Sequence, residues 1–367
     1  MTITNGVKAS TTLETDYKEE YRKSGLIYSG LYNDTGGINN LNQFIMAEKI
    51  TKDLNPTYGS IQKLFSRRIS LIAFCEDRVI GITANKNALY NADGNPQLVA
   101  TNAVLGDANP FVGDYGISQN PESFAKESYR AYFTDRQRGA VLRLSMDGLT
   151  PISDAGMSDW FKDEFKRDEG HLNIIGSYDN YKNDYNLTFD RGGKTYGEQG
   201  NEGGLSQTVS FSEDVKGWTS FKSFIPESGV SMSGDYYTFY NGKCWKHHVE
   251  EDSNQNPISR NGFYIGEFDE SGVAITNLGS SIKFLLNESP LTIKNYNTLN
   301  YDGDENWSCD SIFTDQQSGS VQSFIEKEGK WFNYIKGVDV FDSVGNLILD
   351  TKAFNFQGIG IATSIDI

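Results

Sequence analysis

The sequence predicts an all-β protein: an irregular β-propeller-like array of antiparallel hairpins, or blades, with one or two short inserted helices. Three observations lead there. Rings can supply much of the core: hydrophobic residues are a low 37%, but aromatics reach 13%, with 20 Tyr and 22 Phe. Such residues favour the half-buried pleated surface of a sheet. The 37 glycines supply many tight turns. Hairpin turns recur near residues 35, 77, 136, 180, 215, 241 and 329, each as an aromatic strand, an acidic or amide turn, a basic residue and a second aromatic strand. The recurrence has no fixed period. It suits a propeller with irregular blades, and an irregular sandwich is the other all-β solution.

At 367 residues the chain allows one large domain or two ordinary ones. The expected organisation is a polar N-terminal arm, 1–23, and a β-propeller-like domain, 24–367. Leu26 to Tyr32 reads as a strand, Asn33 to Gly37 as a turn, and Ile38 to Phe44 as the return. Pro56 and Gly59 stop what precedes them. Ile69 to Ile82 is a hairpin about the polar run CEDR, and Asn91 to Pro96 is a loop with strong turn chemistry. Asn120-Pro121-Glu122-Ser123 starts a short helix, with Asn as cap and Pro in the first turn. Tyr129 to Phe133 and Ala140 to Leu144 are strands about the turn Thr134 to Gly139, and Asp147-Gly148 turns the chain again.

Met157 to Lys166 is the best helix: Met157, Trp160, Phe161 and Phe165 share one face, as core-facing residues do. Leu172 to Phe189 is a hairpin about Asp179-Asn180, and Arg191 to Gly204 is a loop. Thr208 to Phe224 gives strands about Glu213 to Gly217. Asn241-Gly242 between two aromatic runs, within Tyr236 to Val249, is the strongest short hairpin signal. Phe263 to Phe268, Ser281 to Leu286 and Thr298 to Tyr301 read as strands, followed by the acidic loop Asp302 to Glu305. Ser318 to Gly337 holds a Glu-Gly turn, and Val338 to Leu349 and Ile359 to Ile365 are weaker strands.

The net charge of −16 argues against specific nucleic-acid binding, which needs a basic surface. Cys75, Cys244 and Cys309 are odd in number and widely spaced, with no CxxC pair; this points to a reducing compartment during synthesis. No apolar run approaches the roughly 18 residues of a membrane span, and MTITNGVKAS lacks the basic start and apolar core of a signal peptide.

No residue is assigned a catalytic, cofactor-binding or metal role, and no cofactor is expected. His247 and His248 are neighbours that a strand would point to opposite faces, so they read as a solvated strand end and not as ligands of one ion; the third histidine is His171. Ser145 to Thr150 is one residue short of an Asp-box and reads as a turn. Asp302-Gly303-Asp304-Glu305, and Asp179-Asn180 with Asn183-Asp184, carry hard oxygen donors but read as solvated loops. Trp218, Trp245 and Trp331 could stack sugars and read mainly as core. Neither a G-x-S-x-G elbow nor a phosphate loop occurs.

Nine ordered blocks carry a family resemblance: GLIYSGLYNDTGGINNLNQF, AEKITKDLNPTYGSIQKL, EDRVIGITANKNALYNADGN, YGISQNPESFA, YRAYFTDRQRGAVLRLSMDGLTPIS, GSYDNYKNDYNLTF, VKGWTSFKSFIPESG, YYTFYNGKCWKHH and FIEKEGKWFNYIKG. From Gly25 to about Gly337 the chain resembles large virion structural proteins of tailed bacteriophages, of the cyanophage type; a looser analogy, resting on fold expectation, is to the nozzle or muzzle ring of short phage tails. The resemblance implies a non-enzymatic protein of the tail or tail tip, made in the host cytoplasm and carried in the virion. Its partners would be other virion tail subunits, in a homo-oligomeric ring. If it lined a channel, its acidic surface would let DNA pass. The alternative is a receptor-binding or glycan-degrading propeller at the tail, with a host-surface glycan as partner.

Overall fold

The computed structural model describes residues 21–366 except 31, 34–36, 45–49, 68–69, 91–95, 168–171, 193–205, 253, 257, 259–260, 269–273, 276–278, 305, 322, 339, 342, 346 and 350–355. Most of the expected N-terminal arm, His171, most of the Arg191 to Gly204 loop, Glu305 and all but the last residue of the Asn91 to Pro96 loop lie outside the described residues. The chain divides into two compact units. The first is Met1–Asn256 with Gly266–Ile275; the second is Pro257–Ile265 with Thr276–Ile367.

The chain is all-β with one α-helix among the described residues. Each of the seven turns anticipated from sequence joins an antiparallel pair: Asn33 with Ile38, Phe74 with Val79, Asp135 with Ala140, Asp179 with Asp184, Ser212 with Gly217, Tyr240 with Lys243, and Lys327 with Lys330. The local cause is backbone geometry. Asn241-Gly242 (φ 51° and 67°) and Glu328-Gly329 (φ 53° and 75°) take the left-handed pair of angles that a two-residue hairpin demands.

In the first unit these turns build successive meanders, each with its strands paired in chain order. The first contains Ile61–Arg67, Ser70–Cys75, Val79–Tyr90 and Pro96–Pro110. The second contains Ala125–Lys126, Ala131–Asp135, Ala140–Ser145 and Gly148–Pro151. The third contains Asn173–Asp179, Asp184–Asp190, Gln207–Ser212 and Gly217–Lys222. A three-stranded fourth contains Ser228–Met232, Asp235–Tyr240 and Lys243–Lys246.

Strand alternation packs one meander on the next. In the second, Ala131 and Phe133 lie opposite Leu144 and Leu142 and share one face. That face meets Ile72, Phe74 and Val79 of the first meander. Tyr132 and Val141 point the other way, into a cluster with Ile174, Tyr185, Leu187, Val209 and Phe211 of the third. Ring pairs fill both joints: Phe133 meets Phe74 edge-on at 5.0 Å, and Tyr132 stacks on Tyr185 at 4.8 Å. Each fully buried ring contributes about 1.5–3 kcal/mol relative to exposure.

The helix, Ser158–Lys166, lays its apolar stripe on the third meander. Phe161 packs on Trp218 at 4.6 Å and Phe165 on Phe189 at 5.4 Å. The start at Asn120 gives only a single 3-10 turn, Pro121–Ser123.

The second unit pairs strands out of order. Its five-stranded sheet runs Ser281–Leu286, Ile361–Asp366, Ser308–Phe313, Ser318–Val321, Lys336–Gly337, so the last strand of the chain lies between two earlier ones. Leu299, Ile312, Val321, Phe324, Ile335, Phe356 and Ile361 form its core. The strand expected over Phe263 to Phe268 does not form; Phe268 makes only an isolated bridge to Ala274. Tyr264 and Gly266 sit at φ 56° and 90°, which breaks an extended run.

Gly116 and Gly176 are pressed against neighbouring backbone. A Cβ on Gly116 would lie 2.0 Å from the Glu76 carbonyl oxygen, and one on Gly176 would lie 1.9 Å from that of Ser123. Gly176→Ala is therefore expected to lower unfolding stability by about 2–3 kcal/mol, through forced backbone displacement. Urea denaturation measures this; an unchanged midpoint would show that the approach of Ser123 to this strand is not required.

Candidate functional site

Polar side chains concentrate at the joints between meanders. At the joint of the second and third, Glu213 follows the strand Gln207–Ser212 as the first residue of its turn. It accepts hydrogen bonds from the Tyr132 hydroxyl at 2.6 Å and from Arg143 Nη1 at 2.9 Å and 3.3 Å. Arg130 approaches the same carboxylate at 3.8 Å. Burial, reinforced by the bond to Glu213, pushes the Tyr132 hydroxyl far above its ordinary pKa, so it stays a donor. The Glu213 carboxylate is thus hydrogen-bonded by Tyr132 and Arg143 of its own chain, with Arg130 nearby.

A second centre joins the third and fourth meanders. The Tyr236 hydroxyl is hydrogen-bonded to Ser177 Oγ at 2.7 Å, and Ser231 Oγ donates to the Tyr178 carbonyl at 2.8 Å. Asp179 Oδ1 caps its own turn, accepting from the backbone N–H of Tyr181 at 2.9 Å and Lys182 at 3.2 Å. Its Oδ2 accepts from His248 Nε2 at 2.6 Å. Burial acts to raise the Asp179 pKa, but the His248 contact and the two N–H groups together outweigh it and hold the carboxyl below the ordinary value.

Lys246 ends its strand; of the two histidines that follow, His247 is buried and His248 half-buried. His247 is 8% exposed, and its Nε2 is hydrogen-bonded to Thr238 Oγ1 at 2.6 Å. His248 adopts φ 59° and stacks on Tyr181 with ring centroids 4.9 Å apart. The polar run Lys-His-His suggests solvent because nothing local announces that Asp179, sixty-nine residues away, receives it. Burial first, then the neighbouring His248 charge, depresses the His247 pKa to about 4. A nucleophile–base–acid relay needs a single imidazole between hydroxyl and carboxylate. Here the hydroxyl is on His247 and the carboxylate on His248.

The other sequence candidates lie apart. Within Ser145 to Thr150 the turn is Met146-Asp147, between paired strand residues Ser145 and Gly148, with Asp147 N donating to Ser145 Oγ at 3.3 Å. Asp179 is fully buried and not part of a solvated loop, and Asp184 lies 3.9 Å from Lys222. The Gly303 carbonyl accepts from Trp331 Nε1 at 2.9 Å, and Asp302 lies 3.7 Å from Lys330. Trp218 and Trp331 pack against the two cores. Among the described residues no group of three His, Cys, Asp or Glu side chains is placed to hold a metal ion. The Glu213 cluster is not visible in the sequence: its members lie at positions 130, 132, 143 and 213, and Glu213 reads there as an ordinary turn residue.

The buried His247 makes stability depend on pH. Its neutral ring is compatible with the fold, but the unfolded chain takes up a proton near pH 6.5 and the folded one only near 4. Stability is therefore lost as pH falls through that interval, by up to about 3 kcal/mol. Asp179 contributes its loss below this window, and Asp184, whose pKa burial raises, opposes it slightly at the acid end. Melting curves at pH 7 and pH 4.5 should differ, and His247→Gln should flatten the difference; an equal slope in the variant would refute the assignment. Glu213→Ala should cost on the order of 3 kcal/mol by stranding Arg143 beside a buried tyrosine, and Glu213→Gln less; equilibrium unfolding distinguishes the two.

No curated protein matches the chain. Residues 35–242, more than half of the sequence, match the family described as Crassvirus muzzle protein. The match spans the first three meanders and reaches the last turn of the fourth. The chain belongs to the Crassvirus muzzle protein family, and is thereby a structural protein of a bacteriophage.

Proposed function

We propose that this chain is a non-enzymatic component of the phage tail, at or near its tip, and that it works by assembling with other virion subunits. In this reading its meanders are blades of a propeller-like module, and copies of the chain stand in a ring. The observation that carries it is the extent of the family match, which follows the run of stacked meanders. The joint chemistry supports the same view: Glu213, Asp179 and His248 are committed to partners within the fold, as befits groups that hold blades together. Weak contacts between copies gain from symmetry, because each is repeated around a ring. The net charge of −16 supports a lumen-facing surface that DNA passes without sticking.

Cryo-electron microscopy of the intact particle, with this chain placed in the map, tests the proposal. The expected result is a symmetric ring about the tail axis with acidic side chains toward the lumen. Placement on a peripheral fibre would overturn the ring, and an even spread of acidic residues away from the axis would overturn the channel.

A further inference from the structure

Three of the hairpins in the first unit share one loop geometry. Asp135 pairs with Ala140, Asp179 with Asp184, and Ser212 with Gly217, each across a four-residue loop. In each the fourth loop residue takes a left-handed backbone: Gly139 at φ 66°, Asn183 at 56°, Lys216 at 54°. Glycine and asparagine are the residues that tolerate this conformation; lysine is not. A lysine at such a position is strained, and its side chain lies at a cleft.

Lys216 lines a cleft of about 630 Å³ whose other walls include Tyr129, Arg130, Arg143, Met146, Asp147 and Glu213. Tyr129 and Met146 stand at this cleft 64% and 74% exposed, large apolar groups left open to solvent. The cleft is pre-shaped. Arg67 donates to the Tyr129 carbonyl at 3.1 Å and to the Ser145 carbonyl at 3.0 Å, tying two of its walls together. Arg143 is held by Glu213 at 2.9 Å. Arg130 is different: its nearest carboxylates are Glu127 at 3.7 Å and Glu213 at 3.8 Å, beyond hydrogen-bond length, so its forked donors can serve a ligand.

We propose that this cleft binds a carboxylate-bearing sugar residue, of the uronic- or sialic-acid type. Arg130 would grip the carboxylate, Lys216 would add a second cation, Tyr129 would offer its ring face to the sugar, and Asp147 would accept from hydroxyls. Arg130 and Lys216 supply the charge preference, and a planar ring beside polar planar side chains suits a hydroxylated ring better than a bare anion. The site adds an adhesive role to the structural one and stands or falls separately from the chain's place in the virion.

Binding of glucuronate to the purified full-length chain, followed by saturation-transfer NMR and calorimetry, tests this, with glucose and acetate as competitors. Glucuronate should bind saturably and at least tenfold more tightly than either. Glucose binding as well would overturn the role of the charge; acetate binding as well would reduce the site to a simple anion site; no saturable binding would overturn the proposal outright. Arg130→Ala should weaken glucuronate about tenfold or more. Lys216→Gly removes the backbone strain, so it should raise the melting midpoint while weakening glucuronate severalfold. A Lys216→Gly chain that binds as well as the parent would refute the role of Lys216, and this variant keeps the test decisive should Arg130→Ala fail to fold.

Discussion

Tyr132 and Phe133 are neighbours on one strand, and the packing of the first unit depends on their pointing opposite ways. Phe133 meets Phe74 of the first meander, and Tyr132 meets Tyr185 of the third. A strand buried on both faces cannot slip: one residue of shift would exchange the two sets of rings and leave both joints wrong. Because rings fill the roughly 10 Å between stacked sheets, a chain with modest aliphatic content can still build a dense interior. The close approaches at Gly116 and Gly176 follow from the same constraint, since sheets drawn together by ring packing bring neighbouring backbone within reach.

Using tyrosine as well as phenylalanine in these joints has a consequence. A buried hydroxyl must find a partner. Tyr132 finds Glu213, Tyr185 the Ser123 carbonyl, and Tyr236 the Ser177 hydroxyl. Once Glu213 is drawn in, it needs a cation, and Arg143 supplies it. Asp179 in turn is hydrogen-bonded to His248. The polar joints are thus extensions of the aromatic core.

That arrangement suits a phage structural protein, whose task is to keep a defined shape and offer surfaces to neighbours. Family membership and fold agree in extent, over the same run of meanders. The residues at the rim follow another logic. Lys216, Arg130 and Tyr129 gather on one cleft.

The sequence by itself determined the all-β class, the helix at Ser158–Lys166 and the places where the chain reverses. These depend on local causes: ring-rich strands, an apolar stripe at helical spacing, and residues such as Asn241-Gly242 whose preferred angles are those of the turn. Phe263 to Phe268 reads wrongly as a strand for the same reason, since Tyr264 gives no local sign of its left-handed backbone. Only the tertiary structure decided which groups meet. His247 and His248 look solvated until the third meander brings Asp179 to them, and Glu213 is a turn residue until Arg143 and Tyr132 arrive. It also decided that Ile361–Asp366 inserts between Ser281–Leu286 and Ser308–Phe313. Such pairings join residues far apart in the chain and are selected by the burial of whole faces, a collective effect that no single stretch of sequence encodes.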